Sequence, residues 1–136
     1  MADNNIRVGR ISSIDYDNGM VKVLYKDRNN AVTDTIPFLN LNGEYKMPNI
    51  DDMVLVIHLS NGSSMGIVMG TFWSSANKPA ETGAGLYRKE LGVKQGESYI
   101  RCKDGTITIK ADNIILDCNT VSTKVLNAET VNTGSR

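Results

Sequence analysis

Few side chains in this 136-residue chain could do chemistry, and their spacing decides what chemistry is open to them. The one histidine, His58, ends the run Met53-Val54-Leu55-Val56-Ile57-His58-Leu59. An imidazole acts as a base or a metal ligand only with partners. In an extended chain His58 shares parity with Val54 and Val56, which predicts packing or a subunit interface. Cys102 and Cys118 have 15 residues between them, far from the close spacing of a metal knuckle or a redox pair. They are expected as two buried thiols behaving as small hydrophobes. Asp51-Asp52 is a carboxylate pair by composition, but adjacent extended residues point apart, so a polar turn before a strand is expected. Asn61-Gly62-Ser63 matches a glycosylation acceptor, yet Asn-Gly is also what a hairpin turn needs, and the turn is the reading adopted. Trp73, the sole tryptophan, is expected to plug the open end of a barrel. The sequence holds no phosphate-cradling glycine loop, zinc-ligand cluster or nucleophile elbow. It predicts a non-enzyme without catalytic, cofactor-binding or metal-binding residues.

The elements around these residues are strands. No stretch keeps apolar residues at helical spacing over three turns, whereas two-residue alternation recurs along most of the chain. Strands are predicted from Ile6 to Ile14, Met20 to Lys26, Val32 to Pro37, Met53 to Leu59 and Ser64 to Gly70. The loop Asp15 to Gly19 and the turn Ser60 to Ser63 separate consecutive strands, and an irregular Asn-rich connection covers Phe38 to Asn49. In the second strand Val21, Val23 and Tyr25 share one face. The Met53 to Leu59 run is apolar on both faces, as a strand covered on two sides would be. Five short strands within residues 1–75 predict a small barrel of the oligonucleotide/oligosaccharide-binding (OB) type.

Residues 76–97 read as a Gly-, Ser- and Ala-containing linker with a short extended segment near Leu86 to Leu91. Residues 98–136 then repeat one pattern. Ile100 and Cys102 share a parity before Asp104-Gly105. Ile107, Ile109 and Ala111 alternate with Thr106, Thr108 and Lys110 before Asp112-Asn113. Ile114, Leu116 and Cys118 precede Asn119-Thr120, and Val121, Thr123 and Val125 follow. Each predicted strand has one apolar face and too little chain around it to bury that face. Stacking in a solenoid, or winding with identical chains, would bury it. The expected fold is therefore all-β, an N-terminal five-stranded barrel followed by a C-terminal stalk of repeated strands that assembles with other copies.

Composition excludes little else. Lys plus Arg and Asp plus Glu both number 15, so no net field attracts nucleic acid or an anionic membrane. No apolar run approaches the roughly 20 residues of a membrane span, and no signal-like leader opens the chain, which predicts a soluble product made in the cytoplasm. An OB barrel could instead bind single-stranded nucleic acid or carbohydrate by stacking on Tyr16, Tyr25, Phe38 and Tyr45. Residues 1–70 hold 6 basic and 8 acidic side chains, which weakens the electrostatic half of such a site.

The order of these pieces resembles the baseplate assembly protein V family, the spike proteins of contractile phage tails. The resemblance is carried by Ile36-Pro37, Met47-Pro48, Asp51-Asp52-Met53-Val54-Leu55-Val56, Asn61-Gly62-Ser63-Ser64-Met65-Gly66-Ile67-Val68-Met69-Gly70 and Phe72-Trp73. It implies a homotrimer, with three barrels as a collar and three tails wound into an intertwined β-helix. Ile100, Cys102, Ile107, Ile109, Ala111, Ile114, Leu116, Cys118, Val121 and Val125 would form its stalk core. It implies partners as well: a tail-hub protein, other baseplate proteins and, transiently, a target cell envelope. The implied place is the baseplate of a virion or of a tail-like particle from a prophage or bacteriocin. Spikes of this family often carry a metal-binding His-x-His pair near the tip, and the tail here, ending Val131-Asn132-Thr133-Gly134-Ser135-Arg136, has none. The expectation is a metal-free tip or a separate capping protein.

Overall fold

The computed structural model describes residues 5–59 and 65–134. The protein is all-β, with antiparallel sheets, and a 3₁₀ turn at Lys26–Arg28 is the only helical element among the described residues. The N-terminal sheet contains β1 (Ile6–Asp15), β2 (Met20–Tyr25), β3 (Ala31–Val32), β4 (Ile36–Pro37), β5 (Met53–His58) and β6 (Gly66–Thr71). Its order is β3-β2-β1-β5-β6, with β4 also paired to β2.

The long first strand works as two half-strands. Its beginning pairs with β5, from Ile6 opposite Ile57 to Arg10 opposite Met53. Its end pairs with β2, from Arg10 opposite Leu24 to Asp15 opposite Met20, with a bulge between Ile11 and Ser13. A bulge bends a strand and increases its twist, which lets β1 serve two neighbours that diverge. Gly9 lies where the bend brings backbone against the core. A Cβ there would stand 2.4 Å from Val23 Cγ1 and 2.8 Å from Tyr25 Cε1, so no larger residue fits without displacement.

Alternation decides the core. Val21, Val23 and Tyr25 point inward from β2 and Val54, Val56 and His58 from β5, joined by Ile11, Ile36 and Val68. Phe38, Ile14 and Met47 pack against this cluster. The opposite face of β5 is only half-buried at Met53, Leu55 and Ile57, so this strand is not covered on both sides as its composition predicts. The predicted third strand, Val32 to Pro37, is divided. Thr33 Oγ1 accepts a hydrogen bond from Val23 N (3.0 Å) while Thr33 N donates to Val23 O (2.9 Å), so a side chain takes the place of a ladder contact. Past β4, Phe38 bridges Val68 in parallel and Leu39 N donates to Val68 O (2.9 Å), which connects the β4 side of the sheet to β6.

A second sheet, β7 (Tyr87–Glu90), β8 (Tyr99–Lys103) and β9 (Thr106–Lys110), has the order β7-β8-β9. The extended segment expected near Leu86 to Leu91 is β7, within the stretch read as a linker. Asp104 (φ 50°) and Gly105 (φ 77°) make the two-residue turn between β8 and β9, as Asp-Gly predicts. Beyond Lys110 the described residues form no strand. The strands predicted at Ile114 to Cys118 and Val121 to Val125 are therefore not elements of the single chain. A strand exists only through hydrogen bonds to a neighbour, and no described residue pairs with residues 111–134 in that way.

Candidate functional site

Register in the second sheet sorts its residues into two unlike faces. Ile100 lies opposite Ile109 and Lys89, and Cys102 lies opposite Ile107 and Tyr87. Directly paired residues share a face, so Tyr87, Ile100, Cys102, Ile107 and Ile109 form one apolar row with Lys89 at its edge. Little of this chain covers the row: Ile107 is 68% exposed and Ile109 51%. The exposure continues through Ile114, Leu116, Val121 and Val125, with Ala111 and Cys118 also exposed, while Ile100 and Cys102 are half-buried. Of the residues expected to form a stalk core, all but the half-buried Ile100 and Cys102 are thus exposed in the single chain.

The other face is polar and covered. Arg88 and Arg101 are direct cross-strand partners. The Glu81 carboxylate accepts from Arg101 Nε (2.9 Å) and Nη2 (2.7 Å) and from Arg88 Nη1 (3.1 Å). Arg88 also donates to Glu90 from Nε (2.6 Å), and its guanidinium lies 3.8 Å from the centre of the Tyr99 ring. The Arg101 hydrogen bond holds the Glu81 carboxyl below its ordinary value, and the Arg88 hydrogen bond does the same for Glu90. Sequence reading missed this group. Its signal was available: Arg88, Glu90, Tyr99 and Arg101 fall on one parity of two adjacent strands.

The remaining candidates resolve one by one. His58 is buried, and its Nε2 lies 2.6 Å from Tyr25 Oη. Burial pushes the Tyr25 hydroxyl up to about 12, with Arg7 opposing and Asp27 adding to the rise. The hydroxyl therefore stays protonated. Burial also pushes the imidazole below its ordinary value, the Met65 backbone opposing and Arg7 reinforcing the fall. His58 Nδ1 is buried without a hydrogen-bond partner among the described residues. Asp52 Oδ2 accepts from Asn49 N (2.9 Å) and Asp51 O accepts from Arg10 Nη1 (3.1 Å), so the two aspartates close a turn and do not share a site. The Asn61-Gly62-Ser63 turn lies outside the described residues.

Two expectations need correction. Trp73 is 64% exposed and plugs nothing in the single chain, because β6 ends at Thr71 and the chain turns outward through Ser74 and Asn77. Cys118 is exposed and only Cys102 is half-buried, since nothing in the chain packs on residues past β9; both thiols are free. A stacking groove fares poorly as well. Of the four rings expected to stack, Tyr25 is in the core, Phe38 packs against it, and Tyr16 and Tyr45 are exposed, with Tyr45 Oη bonded to Tyr16 O (2.9 Å). No group of three or more His, Cys, Asp or Glu side chains that could hold a metal occurs among the described residues. No protein-family model matches the chain, and no curated protein does.

Proposed function

We propose that the protein is the structural spike of a contractile phage tail or tail-like particle, a homotrimeric needle that helps pierce the target envelope when the sheath contracts. The observation that carries this reading is the tract of exposed apolar side chains from Ile107 and Ile109 through Val125 and Val131, whose residues 111–134 form no strand with any described residue. Isolated exposed apolar residues are ordinary, but so many in one tract are a place for a partner. Unpaired backbone is the second half of the same demand, because strand edges must be paired or blocked. Identical chains wound together would satisfy both, closing Ile100, Cys102, Ile107, Ile109 and the apolar residues after them around a common axis.

In this reading the N-terminal sheet is an OB-type barrel. The sequence of pairings from β4 through β2, β1, β5 and β6 and back through Phe38 and Val68 supports that closure. Three barrels form the collar that meets the tail hub, and the tip is either metal-free or capped by a separate protein. The work is mechanical: the force of contraction is delivered to a small area, with no catalytic step and no cofactor. The reading is tested by molar mass. Light scattering coupled to size exclusion is expected to give three times the 14.9 kDa chain mass, and a monomer at micromolar concentration ends it.

A further inference from the structure

An open groove runs between the Asn-rich connection of the N-terminal sheet and the chain on either side of β7. It consists of two cavities of about 650 and 590 Å³, both lined by Asn49, Thr71 and Val93 and therefore parts of one depression. Each lies within the roughly 300–1,000 Å³ of ordinary ligand sites. Tyr16 and Tyr45 line the first cavity and Trp73 lines the second. These residues are 59%, 64% and 64% exposed, so three aromatic side chains around one groove are open to a stacking ligand. Three side-chain amides stand with them. Asn49 Nδ2 donates to Val93 O (3.5 Å), Asn77 Nδ2 to Phe72 O (3.0 Å) and Gln95 Nε2 to Lys78 O (3.1 Å). Each amide is oriented by that bond, and each keeps a carbonyl oxygen with no partner among the described residues.

We propose that this groove binds a neutral oligosaccharide, whose rings stack on Tyr16, Tyr45 and Trp73 and whose hydroxyls donate to the amide oxygens of Asn49, Asn77 and Gln95. A sugar ring presents an apolar C–H face to an aromatic ring and a rim of hydroxyls that needs acceptors, and the groove supplies both. Charge separates this ligand from single-stranded nucleic acid, which also stacks but needs a cationic track. Here Lys46, Arg88 and Lys89 are balanced by Glu44, Asp52, Glu81 and Glu90. Two of the three cations are already paired, Arg88 with Glu81 and Glu90, and Lys89 with Glu44. The groove thus offers a polyanion no net attraction. The site stands apart from the spike reading, which requires no ligand here.

Trp73 is the sole tryptophan, so its fluorescence reads the site directly. The full chain is titrated with tetrasaccharides of glucose, mannose, galactose and N-acetylglucosamine at about 0.15 M salt. At least one should shift the emission saturably, with a Kd of about 1 mM or tighter. Tyr45→Ala, read by the same signal, should weaken binding at least about fivefold, and Trp73→Ala, read by calorimetry, at least about tenfold. Tyr87→Ala removes an equally exposed ring that lines neither cavity and should leave the affinity within about twofold. If either ring variant does not fold, Gln95→Ala replaces it, with binding again expected to weaken. No saturable shift with any of these sugars up to about 10 mM overturns the site, and so does binding that both ring variants leave unchanged. A thymidine oligonucleotide that binds more tightly than every sugar overturns the ligand class and makes the groove a single-strand site. A lower molar mass for Trp73→Ala than for the wild type also overturns it, because another copy would then cover the groove.

Discussion

Protonating His58 has to break an arrangement that is already complete on one side. Tyr25 Oη and His58 Nε2 are paired at 2.6 Å, and burial favours the neutral imidazole. A second ring proton would bury a charge and place a cation near Arg7. The folded-state pKa is lowered, so the unfolded chain binds more protons. Stability is therefore full above the ordinary imidazole value of about 6.5 and falls as pH drops below it. Urea midpoints between pH 8 and 5 should decline in the wild type, and the His58-dependent part of that decline should vanish in His58→Asn; a flat profile would remove the assignment. A second residue-scale prediction concerns β9. Ile109→Asp should abolish assembly and Thr108→Asp should not. Ile109 lies opposite Ile100 on the apolar row, whereas Thr108 lies opposite Arg101 on the polar face. Around a three-fold axis each Ile109→Asp loses about 1.5–3 kcal/mol of burial and incurs several kcal/mol more from desolvation or proton uptake. Per trimer that reaches roughly 10 kcal/mol, comparable to the stability of a whole domain. Molar mass and thermal melts of both variants decide it, and equal behaviour would mean the row does not face inward.

Among the elements, the β8–β9 hairpin is the best determined by local sequence. Asp104-Gly105 supplies two consecutive positive-φ residues, and a two-residue turn fixes the register that puts Ile100 against Ile109. Residues after β9 carry the same alternation without any such closure, and no described residue pairs with them as a strand. The elements thus divide between those the chain completes itself and those it leaves open. Truncation after Gly96 removes β8, β9 and everything beyond. The remaining chain should keep the β1–β6 core, which draws no residue from the deleted part, and should lose association. A truncated protein that stays as tight a trimer as the full chain would place the main interface in the N-terminal sheet.

Taken whole, the molecule shows where a sequence carries its own answer. Strand parity was legible because a two-residue period is a local property. Val21, Val23 and Tyr25 on one side of β2, Val54, Val56 and His58 on one side of β5, and the apolar row of β8 and β9 all follow from it. Turns were legible for the same reason, from Asn, Asp and Gly at positions that need positive φ. The candidate interface could be read because its residues lie in one continuous tract, and exposure is what the structure added to them. Other features depend on residues far apart in the chain. Tyr25 and His58 are separated by 33 positions, and only folding made them partners and removed Tyr25 from any stacking surface. The Glu81 carboxylate meets Arg101 20 positions away across a segment whose Gly and Ser content reads as loose, because composition does not record which side chains will bond across it. The exposure of Trp73 and Cys118 was equally hidden, since burial depends on what packs over a residue, and for these two the single chain supplies nothing.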